Sequence, residues 1–102
     1  MKLETLKKRF KGFPVIKTMQ SPSRSGGDMS NQVVIAFDNG SVFSSYGTLI
    51  ALEIREKDGM KTYLTDNWDY SVTTGKYRNQ FLGEGIKETI KKIADGTYKI
   101  VK

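Results

Sequence analysis

The sequence predicts an α+β fold: an antiparallel β-sheet meander of four or five strands, with two or three short helices packed mainly on one face. Three observations carry this. Residues 32–65 read as successive β-branched and apolar runs. Turn chemistry interrupts them at Asp38-Asn39-Gly40-Ser41 and at Asp58-Gly59. Asn-Gly is a strong hairpin signal, because both central residues of a type I′ turn need positive φ. Beyond residue 70 the apolar residues adopt helical spacing, before a last alternating run, Thr97-Tyr98-Lys99-Ile100-Val101.

Taken in order, Leu3, Leu6, Phe10 and Phe13 fall on one face of a helix spanning Leu3 to Phe13. Lys7, Lys8, Arg9 and Lys11 occupy the rest of its circumference, and Gly12 and Pro14 end it. A helix this short is marginal alone, so it docks on the sheet. Val15 to Met19 follows as a short strand. Residues 21–31, rich in Ser and Gly, predict a mobile surface loop. They hold Arg24 and Gly26-Gly27, but the G-K-[ST] of a phosphate loop does not follow.

Within the meander, Val33, Ile35 and Phe37 share one face and Val34 and Ala36 the other. Leu49-Ile50-Ala51-Leu52 is apolar on both faces, which predicts a central strand covered on both sides, with a partner subunit (a homodimer) as one candidate cover. Thr65 to Ser71 is a loop by composition. It concentrates Trp68, Tyr70, Asp66 and Asp69; two carboxylates are few for a cation site. Thr73 and Thr74 are placed to cap a helix over 75–82, stopped by Gly83, with Tyr77 and Phe81 buried and Lys76 and Arg78 pointing outward. A further helix, Glu84 to Asp95, sets Ile86, Ile90, Ile93 and Ala94 on one side and pairs Glu88 with Lys92, with Gly96 as its stop.

At 102 residues the chain is read as one domain, 1–102. It contains neither cysteine nor histidine. Disulfides, ordinary zinc sites, Ser-His-Asp triads and Cys-His dyads are therefore excluded. No catalytic residue, metal ligand or cofactor is expected. No apolar run approaches the roughly 20 residues that span a bilayer. The opening Met1 to Lys8 lacks the apolar core of a signal peptide, so a cytoplasmic location, in a host cell, is expected.

The net charge is +6, and it is unevenly spread. Residues 1–20 hold six cations against Glu4; residues 71–102 hold seven against three carboxylates; the stretch between is mildly acidic. If the two ends meet in space they form one positive face, suited to phosphate or to an acidic protein surface. The residues expected to meet a protein or nucleic-acid partner are Lys7, Lys8, Arg9, Lys11, Arg24, Trp68, Lys76, Arg78, Lys91 and Lys92.

Two stretches resemble a known family. Ser45-Tyr46-Gly47-Thr48-Leu49-Ile50-Ala51 and Trp68-Asp69-Tyr70-Ser71-Val72-Thr73-Thr74-Gly75-Lys76-Tyr77-Arg78-Asn79-Gln80-Phe81-Leu82-Gly83 are similar to a group of small phage and bacterial domains. These share an S-Y-x-T-x-I/V-A strand and a Y-S-x-T-T-x-K helix start that ends in F-L. The similarity covers roughly residues 33–83. It implies a sheet followed by a Ser/Thr-capped helix, and a phage or mobile-element setting; it implies no active site. In size, and in lacking cysteine and catalytic groups, the chain is also similar to anti-CRISPR proteins.

Three functions follow as expectations. The first is a non-enzymatic inhibitor of a CRISPR–Cas nuclease that binds the host Cas effector or its guide RNA and blocks assembly; the basic charge disfavours a DNA mimic. The second is a non-specific DNA- or RNA-binding module, with Trp68 and Tyr77 as stacking platforms. The third, disfavoured, is a metal-dependent nuclease built on Asp38 and Glu53-Ile54-Arg55, which read more simply as a turn aspartate and an exposed strand glutamate.

Overall fold

A computed structural model describes residues 1–21 and 28–102. The chain forms α1 (Leu3–Lys7), β1 (Val15–Gln20), β2 (Asp28–Phe37), β3 (Gly40–Ser45), β4 (Thr48–Glu56), β5 (Gly59–Thr65), α2 (Val72–Leu82), α3 (Ile86–Ala94) and β6 (Tyr98–Val101). The strands make one sheet in chain order. The first five form an antiparallel meander, and β6 lies parallel to β5. The fold is α+β as expected, with six strands rather than four or five. The two helices between β5 and β6 carry the chain back along the sheet, which is what a parallel neighbour requires. Of the predicted loop over 21–31, residues 28–31 belong to β2; residues 22–27, with Arg24, lie outside the described residues. Among the described residues no helix is long and apolar enough to cross a membrane.

The turns differ from their sequence reading. Phe37 pairs with Gly40, so Asp38 and Asn39 are the two loop residues. Neither has positive φ; among described non-glycine residues only Tyr46 does. Both residues of the Tyr46-Gly47 turn have positive φ, 52° and 79°, so the type I′ signature falls between β3 and β4. Gly40 is needed for a different reason: it lies hard against the backbone of β4.

Each face of the sheet carries its own core. On one, Phe43, Ile50, Ala51, Leu64, Tyr77 and Tyr98 are buried beneath α2 and α3. On the other, Val42, Leu52, Ile54, Tyr63 and Val101 pack with Leu6 and Phe10. A bulge between Phe43 and Ser44 makes this possible. Phe43 pairs with Ala51 and Ser44 with Leu49, so Ile50 is the extra residue. Ile50 and Ala51 then both face α2 and α3, while Leu49 and Leu52 face α1. The run that read as apolar on both faces is so, and this chain's own helices cover most of it.

α1 stops at Lys7 instead of reaching Phe13. Phe10 packs on Phe37 with ring centroids 5.1 Å apart, but Phe13 is 93% exposed. The cause is a competing set of hydrogen bonds. The Asn39 amide donates to Arg9 O (2.9 Å) and accepts from Lys11 N (2.8 Å), and Asp38 N donates to Lys11 O (2.9 Å). These tie residues 9–11 to the turn between β2 and β3 in place of a further helical turn.

α2 starts three residues earlier than predicted, because Ser71 rather than Thr73 or Thr74 caps it, accepting from Thr74 N at 3.1 Å. Gly83, left-handed at φ 71°, ends it as expected. α3 is rolled away from its predicted orientation. Ile86 and Ile90 are exposed and Ala94 is exposed, Ile93 is half-buried, and the residue fully buried is Thr89. Glu84, not Glu88, takes Lys92, at 2.6 Å. The same Glu84 carboxylate accepts from the Thr89 hydroxyl (2.7 Å) and the Tyr98 hydroxyl (2.7 Å), and this polar clamp sets the roll of α3 on the sheet.

Candidate anion-binding cleft

A meander places alternate turns at the same end of its sheet. Here the Asp38–Asn39 turn and the Lys57–Asp58 turn are neighbours, joined by the Arg55 N to Asn39 O hydrogen bond (2.7 Å). The segment after α1 is held beside them by the Asn39 amide. Between these parts lies a cleft of about 620 Å³. Arg9, Lys11, Arg55 and Lys57 line it together with Glu56 and Asp58.

The two carboxylates are already engaged. Glu56 pairs with Arg9 at 3.3 Å and accepts from the Tyr63 hydroxyl at 3.0 Å, so one cation is fixed in the wall. Asp58 pairs with Lys61 at 3.1 Å, and the hydrogen bond from Lys61 holds its carboxyl below the usual aspartate range. Lys11, Arg55 and Lys57 are exposed and make no ion pair among the described residues. Three uncompensated cations and a fixed arginine around one concavity make a site for an anion with several oxygens, such as consecutive phosphates.

The structure divides the predicted contact residues. The chain ends do meet, since Leu3 N donates to Lys102 O at 2.9 Å. Yet the α1 segment and α3 sit on opposite faces of the sheet, so their cations do not form one surface. Arg9 and Lys11 enter the cleft. Lys7 pairs with Glu4 at 3.3 Å, and Lys8 is exposed. Lys76 and Lys91 are exposed on α2 and α3, and Lys92 is bound to Glu84.

Arg78, predicted to point outward, is 1% exposed. It donates to Trp68 O (2.8 Å), the Asp69 carboxylate (3.2 Å) and the Asn79 side-chain amide oxygen (3.1 Å), with its guanidinium 5.3 Å from the Trp68 ring centre. It ties α2 to the preceding loop, and Trp68, half-buried against the core beneath it, is no open stacking platform. Tyr77, the other expected platform, is buried.

Two cleft cations, Arg55 and Lys57, escaped the sequence reading. The signal was available: they flank the Asp58-Gly59 turn, two turns along the meander from Asp38-Asn39, and hence at the same sheet end. Among the described residues no group of three or more carboxylates is placed to hold a metal ion. Asp38 lies in its turn; Glu53, expected to be exposed, is half-buried on the opposite face from α1, and burial, then the nearby Glu84 charge, push its carboxyl up.

No curated protein and no solved structure matches the chain. The sequence profile of the Family of unknown function (DUF8033) matches residues 16–96. The match takes in β1 to α3, with Arg55 and Lys57, and leaves out α1, Arg9 and Lys11. Covering most of the chain, it places this protein in the DUF8033 family.

Proposed function

We propose that this protein acts by binding, without turnover, and that its cleft takes the phosphates of a nucleic-acid backbone. One observation carries the reading: Lys11, Arg55 and Lys57 line one cleft whose carboxylates are engaged by other cations. Affinity there comes from releasing condensed counterions, with little sequence readout. In the phage or mobile-element setting that the sequence resemblance implies, the strand bound is a guide RNA. The protein then inhibits a CRISPR–Cas effector in the host cytoplasm by withholding its guide.

Fluorescence polarisation with a labelled single-stranded RNA, repeated at rising salt, tests this. Each phosphate contact to a single strand contributes about 0.7 to the logarithmic salt slope. Replacing Lys11, Arg55 and Lys57 with alanine is expected to lower that slope by about 2 and weaken low-salt binding by at least about tenfold. Those side chains are exposed, so the fold survives the change. Unchanged affinity in the triple variant would sink the cleft as the binding site. A Cas effector retained in a pulldown from ribonuclease-treated lysate would move the contact from the RNA to protein.

A further inference from the structure

The two edges of the sheet are managed differently. At the β6 edge, the Lys102 carbonyl accepts from Leu3, and α1 covers the neighbouring apolar face. At the other edge, β1 pairs with β2 alone among the described strands. Phe13, Val15 and Ile16 there are 93%, 54% and 67% exposed. β1 carries one charge, Lys17. Natural sheets guard a free edge with charges, proline, bulges or a covering element. Here Lys17, the Thr18/Met19 bulge and the preceding Pro14 guard part of β1 and leave the Ile16 side chain open.

The register shows what is left open. Ile16 pairs with Ile35, Ile35 with Val42 and Val42 with Leu52. This apolar row runs across the face that α1 covers, from the fully buried Leu52 outward to Ile16. Among the described residues nothing covers its end, and the Ile16 side chain is mostly in water.

We propose that β1 is a self-association edge, pairing antiparallel with β1 of a second copy about a two-fold axis through Ile16. A two-fold perpendicular to the sheet keeps each face continuous, so the pairing must centre on a residue. Centring on Lys17 sets two ammonium groups opposite each other, which is unfavourable. Centring on Thr18 falls on the bulge between Thr18 and Met19. Centring on Val15 sets Pro14, which has no N–H, against Ile16 directly beside the axis, whereas centring on Ile16 moves Pro14 out to the end of the ladder, against Thr18. Centring on Ile16 sets Ile16 against its copy and Val15 against the partner's Lys17. The apolar row then runs unbroken through both sheets. An identical chain is the occupant that fits, because it supplies the same row from the other side. The self-complementary contact is what a two-fold interface demands.

Analytical ultracentrifugation of the full chain over a wide concentration range is the test. The expected result is a species of twice the monomer mass. Ile16→Lys, which sets two like charges on the axis, yields the monomer with unchanged circular dichroism, since Ile16 is mostly exposed. A cysteine reporter gives an independent reading, because the chain has no cysteine of its own. Ile16→Cys crosslinks to a dimer under mild oxidation, as directly opposed strand residues lie within disulfide reach. Ile100→Cys at the opposite edge serves as the control and stays uncrosslinked. A wild-type chain that is monomeric throughout, a dimer that survives Ile16→Lys, or equal crosslinking at both edges would each overturn the proposal.

Discussion

Gly40→Ala is expected to destabilise the protein by about 3 kcal/mol, near the upper end of what overpacking costs. The reason is close approach rather than backbone conformation. A Cβ at this position would run into the Glu53 carbonyl oxygen and lie 2.9 Å from Ile54 Cα. Both neighbours are backbone of β4, so neither can swing aside as a side chain would. Relief requires opening the β3–β4 pairing, where Gly40 faces Ile54. That pairing anchors both cores, since Phe43 and Val42 follow on β3 and Leu52 and Ile54 sit on β4. It also fixes the turn that carries Asn39, and so the position of Arg9 and Lys11. Urea denaturation followed by tryptophan fluorescence measures the loss. A change below about 1 kcal/mol would mean that β3 and β4 are further apart here than described.

Glu84→Ala is expected to cost a similar amount at neutral pH, about 3 kcal/mol, for a different reason. The Glu84 side chain is 8% exposed and accepts three hydrogen bonds, from Lys92, Thr89 and Tyr98. Removing it leaves the buried Thr89 hydroxyl with only a longer bond to the Gly85 carbonyl (3.3 Å), Lys92 with only the Tyr98 hydroxyl (3.5 Å), and the Tyr98 hydroxyl without its acceptor. The pH profile separates this account from simple loss of packing. Burial raises the Glu84 carboxyl, but the three hydrogen bonds outweigh it and its net shift is down. A depressed carboxyl stabilises the fold above its unfolded value of about 4.5, and that contribution disappears as the pH falls through the lower folded value.

Neighbouring groups have the opposite sign, Lys92 among them, which the Glu84 hydrogen bond pushes up. Burial and then the Glu84 hydrogen bond push the Tyr98 hydroxyl up to about 12. Its contribution is complete below its ordinary value near 10 and is lost as the pH rises through 12. The raised Glu53 carboxyl likewise favours the fold when protonated, so it opposes Glu84 in mild acid. Thermal melts from pH 3 to 12 should show the wild type losing stability at both extremes. The Glu84→Ala variant should be flatter below pH 4.5 and above pH 10. Parallel curves for the two proteins would contradict the clamp.

Much of this architecture was legible in residue order. Alternating runs and turn residues located the meander, Gly83 marked the end of α2 though its start lay three residues earlier than read, and the alternation of Thr97 to Val101 marked the last strand. What escaped depends on contacts distant in sequence. A parallel β6 is visible only once two helices are known to cross the sheet. α1 ends early because Asn39, some thirty residues on, hydrogen-bonds the segment that would have been its last turns. Arg78 is drawn inward by a carbonyl on the Trp68 loop, an acceptor that helical spacing does not reveal. Of the expected basic surface, the sequence found Arg9 and Lys11; Arg55 and Lys57 joined them because two turns of the meander share one end.

Titrating the isotopically labelled protein with single-stranded RNA and following its amide resonances shows whether a phosphate backbone lies in the cleft between those turns. Shifts are expected to centre on Lys11, Asn39, Arg55 and Lys57 and to fade as salt is raised. Shifts centred on Lys76, Lys87 and Lys91 across the α2–α3 face, or no shifts at low salt, would contradict that placement.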